Sequence, residues 1–77
     1  MKRFELITAD PNILSGKPIL KGTRISVDFI LQLIASGASI DDILQSYPHL
    51  SREGVVEALL YAGEVVKNEI NIEIKAA

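Results

Sequence analysis

Few residues of this chain have a type and spacing that could do chemistry. Gly16-Lys17 resembles the end of a phosphate-binding loop, in which backbone N–H groups and a lysine hold phosphate oxygens. Pro18 stands where that loop carries a hydroxyl, and no glycine stands five residues earlier. A turn is the better reading. Asp41 and Asp42 are adjacent carboxylates, the kind of pair that serves metal or acid–base work when the two groups converge. Successive helix residues point about 100° apart, and a helix start attracts acids, so capping explains this pair better. His49 lies beside Pro48 with no serine or cysteine nucleophile constellation around it. With a single histidine and no cysteine, a protein-only zinc site is implausible. These residues predict neither catalysis nor a cofactor nor a metal.

Binding is the better-supported class. Lys21 and Arg24, with Lys2 and Arg3, make a set able to touch phosphate, although ordinary surface charge would look the same. Ser51 and Arg52 stand at the start of a helix that could enter a nucleic-acid groove, together with Val56. Glu53, Glu57 and Glu64 on that helix would repel phosphate. The net charge of -2 conceals +3 over residues 1–24 and −5 over residues 25–77. Dedicated DNA-binding domains are usually basic overall, which counts against that reading for the whole chain. An acidic segment suits a basic protein target, such as a nucleic-acid-processing enzyme.

Positioning these residues falls to one small domain of 77 residues. Residues 1–25 read as extended. Phe4 to Thr8 has the alternation of a short strand, and Asp10-Pro11-Asn12 is a turn cluster that ends it. Ile19-Leu20 and Arg24-Ile25 would form tiny strands around a Lys21-Gly22 turn. Residues 26–68 read as three helices. Ser26 caps the first, Phe29, Ile30, Leu33 and Ile34 make its apolar stripe, and Gly37 ends it. Ser39 caps the second, with Asp42 in its first turn and Ile40, Ile43, Leu44 and Tyr47 on one face. Pro48 stops it, since the residue before a proline is pushed out of the α region. Ser51 restarts helix, with Val55, Val56, Leu59, Leu60 and Gly63 as the expected inward face. Two capped helices joined at Tyr47-Pro48-His49-Leu50 resemble a helix-turn-helix.

Residues 69–77 differ. Glu69-Ile70-Asn71-Ile72-Glu73-Ile74-Lys75 alternates strictly, so Ile70, Ile72 and Ile74 share one face on a strand and not on a helix. Such a strand wants a partner edge: Phe4 to Thr8, a second copy, or another protein by strand addition. The chain is 48% hydrophobic, largely aliphatic, yet a domain of this size buries only about 60% of its unfolded surface. A homodimer or a complex is therefore expected. Met1 to Thr8 lacks the apolar run of a signal peptide, and no stretch approaches the roughly 20 apolar residues that span a bilayer. No membrane partner is expected, and the absence of cysteine suits a reducing cytoplasm.

The run Ile7-Thr8, Asp10-Pro11, then Ile13-Leu14-Ser15-Gly16-Lys17-Pro18-Ile19-Leu20-Lys21-Gly22-Thr23-Arg24-Ile25-Ser26-Val27 resembles the signature of domain of unknown function 433. The likeness continues through Gly37, through Ile43 to Leu50, and through Val55 to Ala62. It covers roughly residues 7–67. The resemblance implies a mainly α fold: a homeodomain-like three-helix bundle with a helix-turn-helix, besides the short N-terminal β-ribbon and the candidate C-terminal strand. It further implies an antitoxin of a toxin–antitoxin pair that neutralises a PIN-like ribonuclease toxin and also regulates its own operon. A dimeric helix-turn-helix DNA-binding regulator is the alternative. That family has no agreed catalytic residues. Its motif positions Gly16, Pro18, Gly22, Thr23 and Arg24 are all present here, the glycines and proline as turn formers. Thr23 and Arg24 are candidates for contact with a partner, with nucleic acid or with an acid inside the fold; Thr23, Ile70, Ile72 and Ile74 make up the expected partner-binding set.

Overall fold

The computed structural model describes residues 4–69, as two short strands followed by three helices. Strand β1 (Ile7–Ala9) pairs antiparallel with β2 (Pro18–Leu20), with Ile7 opposite Leu20 and Ala9 opposite Pro18. The first strand begins later than its alternation suggested. Phe4 to Leu6 form a turn, closed by the Ile7 N–H donating to the Phe4 carbonyl (3.2 Å). Phe4 is drawn away to stack edge-on against Tyr61, ring centroids 5.5 Å apart.

Between the strands, the Asn12 N–H donates to the Asp10 carboxylate (2.9 Å), a side-chain turn that leads into a short 3-10 segment at Leu14–Gly16. This is what Gly16-Lys17 builds: a turn, with Lys17 3.6 Å from Asp28. After β2 the chain reverses over Lys21-Gly22, with the Thr23 N–H donating to the Leu20 carbonyl (3.0 Å). Gly22 sits at φ 80, where a side chain would be strained even though nothing lies within 4 Å of a Cβ there. The expected ribbon forms only in part. Its return arm is reduced to a bridge between Ile19 and Ser26 and the Leu20 N–H to Ile25 carbonyl bond (2.9 Å), and β2 finds its main partner in β1.

Helix α1 (Val27–Ala35) starts where Ser26 accepts from the Phe29 N–H, and it stops before Gly37, at φ 106. Helix α2 (Ile40–Ser46) starts in a capping box: the Ser39 hydroxyl accepts from the Asp42 N–H while the Asp42 carboxylate accepts from the Ser39 N–H (2.9 Å). It ends at Tyr47, whose ring meets Phe29 edge-on at 5.8 Å. Helix α3 (Arg52–Glu69) starts with the Gly54 N–H donating to Ser51 (3.0 Å). Its last turn includes Glu69, which the alternating pattern had placed in a strand. Residues 70–77, including Ile70, Ile72 and Ile74, lie outside the described residues, as do Lys2 and Arg3.

The core joins Leu20 of β2, Val27 and Ile30 of α1, Ile43 of α2, Leu50 of the turn, and Val55 and Ala58 of α3. Each fully buried aliphatic side chain contributes about 1.5–3 kcal/mol relative to exposure. Among the described residues Ser26 is the buried polar one, and its hydroxyl is occupied as the α1 cap.

Candidate partner and nucleic-acid interfaces

Three of the candidate residues meet at the N-terminus of α3. Lys21 and Thr23, on the turn after β2, lie beside His49, Leu50, Ser51 and Gly54 around a small depression of about 100 Å³. Two features bring these segments together. Gly54 is buried, and a Cβ there would stand 3.1 Å from the Ser51 Oγ and 3.4 Å from Leu20, so the helix start approaches β2 closely because residue 54 has no side chain. Glu57, one turn on, accepts a hydrogen bond from the Leu6 N–H (3.0 Å) and ties α3 to the entry of β1 across 51 residues of chain.

The hydroxyls at this junction have structural work. Thr23 donates to the Leu20 carbonyl (2.7 Å) and accepts from the Ile25 N–H (2.9 Å), so it holds the turn shut. Ser51 caps α3. Lys21 is exposed at the rim, next to helix N–H groups that carry partial positive charge. Arg24 is exposed on the other side of the turn, over a separate hollow shared with Thr8, Asp10 and Gly22. Arg52 is paired with Asp41, which links the starts of α2 and α3. The four nucleic-acid candidates thus fall into a pair at the helix start, Lys21 and Ser51, with Arg24 apart and Arg52 engaged by an acid. Both partners of the Arg52–Asp41 pair are largely exposed, so it contributes little to stability.

Asp42 is held below the ordinary carboxylate range, first by the backbone N–H of Ser39 and then by its side chain. Both interactions are with Ser39, its partner in the capping box that starts α2. Among the described residues no group of three or more His, Asp or Glu side chains is placed to hold a metal ion, and no helix is long and apolar enough to cross a membrane.

Helix α3 bears out the expected facing only in part: Val55 is buried and Leu59 packs against the core. Val56 is 38% exposed, Leu60 is 59% exposed, and Gly63 is exposed too; these residues point outward. Gly54, Val55 and Ala58 face the core, because the β1–β2 pair packs on that side through Leu20 and the Leu6–Glu57 bond. Val56 and Leu60, four residues apart, make an aliphatic row on the outer surface. Its lower end is a shallow hollow lined by Arg52, Glu53, Val56 and Glu57. The sequence pattern contained this row but assigned it to the wrong side.

The chain belongs to the family described as Protein of unknown function (DUF433), whose model matches residues 7–62. It is similar to Uncharacterized protein y4eO of Sinorhizobium fredii (strain NBRC 101917 / NGR234), 36% identical over 58 residues. That match covers 75% of this chain and 26% of y4eO, so the chain spans about a quarter of that relative's length. Its fold matches the crystal structure of a DUF433 member protein from Anabaena variabilis ATCC 29413 with a TM-score of 0.76 at 25% identity. This covers 82% of the present chain and 62% of the other.

Proposed function

We propose that this protein is a non-enzymatic antitoxin of the cytoplasm that binds and neutralises a PIN-like ribonuclease, docking through the outer face of α3. The observation that carries this reading is the exposed Val56/Leu60 row, bordered by Glu53, by Glu57 with its bond to the Leu6 N–H, and by Arg52, whose charge Asp41 offsets. A ribonuclease must present cations to a polyanionic substrate. An apolar helix face rimmed by acids suits such a surface, as hydrophobic anchors inside a complementary electrostatic rim. The −5 balance of residues 25–77 has the same sign. Co-expression with the product of the adjacent reading frame tests the proposal. A complex that survives purification is expected, and one weakened at least about 30-fold by Val56→Asp with Leu60→Asp, as for loss of interface anchors. Failure of the wild-type chain to co-purify removes the reading.

A second activity, regulation of its own operon, is favoured by Lys21 standing beside Ser51 and the α3 N-terminus. A retarded band with its own upstream DNA is expected, fading steeply as salt rises, and weaker for Lys21→Ala with Arg24→Ala. No retardation at low salt contradicts it.

A further inference from the structure

A cation stands at the foot of the Val56/Leu60 row. Arg52 precedes Val56 by four residues, as Val56 precedes Leu60, so the three lie in one line along α3. It lines the same hollow as Glu53, Val56 and Glu57. Its place is unfavourable twice over. Arg52 is the first residue of α3, where the helix end is already positive. It also turns a like charge toward the cation-bearing surface proposed to dock there. The acid that answers it comes from another helix. Asp41, in the first turn of α2, pairs with the Arg52 guanidinium across 11 residues of chain.

We infer that Asp41 is a positioning residue of the docking face, which masks the charge of Arg52 and so lets a basic partner approach the row. The inference rests on the docking reading given above and extends that face from α3 to the start of α2. Local structure does not account for Asp41. The capping box of α2 is made by Ser39 and Asp42, and Asp41 takes no part in it. Its side chain is 79% exposed, and so open an ion pair adds little to stability. What the pair changes is the sign of the surface. With Arg52 neutralised, Glu53 and Glu57 set the charge beside the apolar row. The masking does not need an unbroken bond, because a carboxylate this near cancels the guanidinium as an approaching partner feels it. Charges at an interface rim act chiefly on the association rate and on its salt dependence, so the effect of Asp41 belongs there. A partner presenting acids would be drawn to Arg52 instead, and Asp41 would compete with it.

The test is the association rate of the full chain with the immobilised product of the adjacent reading frame, at about 0.05 M and about 0.5 M salt, since the higher salt screens exposed charges within a few ångströms. Asp41→Asn should associate at least about 3-fold more slowly at the lower salt and nearly as fast as wild type at the higher, with its helical circular dichroism unchanged. Arg52→Gln leaves α2 untouched and Asp41 unopposed, and it should associate faster than wild type. The double variant Asp41→Asn, Arg52→Gln should regain the wild-type rate, because Glu53 and Glu57 again set the charge. Equal rates for Asp41→Asn and wild type overturn the inference and leave the docking reading standing. A double variant as slow as Asp41→Asn also overturns it, since Asp41 would then touch the partner itself. So does an Arg52→Gln variant no faster than wild type, whose guanidinium would be unmasked or would meet an acid of the partner. Absence of any wild-type complex removes the docking reading and the inference together.

Discussion

Glu57 reads as one more acid on a solvated helix, and the fold gives it a fixed partner. It takes the Leu6 N–H, a half-buried donor that β1 does not satisfy, and so fastens the sheet to α3. Glu57→Ala should destabilise the domain by about 1–2 kcal/mol, the cost of leaving that donor unpaired. Glu57→Gln keeps an acceptor oxygen in place and should cost less than half as much. Denaturant unfolding of the two variants separates them, and equal losses would show that the bond carries no weight. Asp42 makes a complementary prediction in pH. Its pKa is depressed in the folded chain, so its contribution to stability is full above the unfolded value of 3.8 and is lost as pH falls through the folded value. Asp42→Asn cannot titrate and should flatten that part of the acid limb, which unfolding measured from about pH 5 to about pH 2 would show. A variant whose acid limb matches the wild type would contradict the cap assignment.

Among the elements, those with local causes were legible in the sequence. Ser26, Ser39 and Ser51 start helices through bonds to residues three positions away, and Pro48 ends one through its own ring, so spacing alone located α1, α2 and the start of α3. The facing of α3 was legible only in part: Val55 and Leu59 turn inward as their spacing suggests, and Val56 and Leu60 do not. Val55, Val56, Leu59, Leu60, Ala62, Val65 and Val66 put apolar groups around most of its circumference, and such a helix has no single stripe to read. What decides its orientation is remote: the Leu6–Glu57 bond, the Phe4–Tyr61 ring contact, and the fit of Leu20 against Gly54. The strand boundary at Ile7 failed for the same reason, since Phe4 is taken by a residue 57 positions away. Of the candidate site, the approach of Lys21 to Ser51 likewise depends on a glycine whose importance shows only when two distant segments touch.

At the scale of the whole molecule, the sheet covers one side of α3, α1 runs along another, and two aliphatic surfaces remain open: the trough with Leu31 and Val66, and the outer row of Val56 and Leu60. For a chain of 77 residues with 48% hydrophobic content, surface left over after folding is what size alone leads one to expect. We assign the outer row to a nuclease. The most direct test of that assignment is the rate of RNA cleavage by the product of the adjacent reading frame, titrated with the purified protein. Cleavage should fall to background near stoichiometric wild-type protein and persist at the same amount of the Val56→Asp, Leu60→Asp variant. Undiminished cleavage in excess wild-type protein would contradict the account.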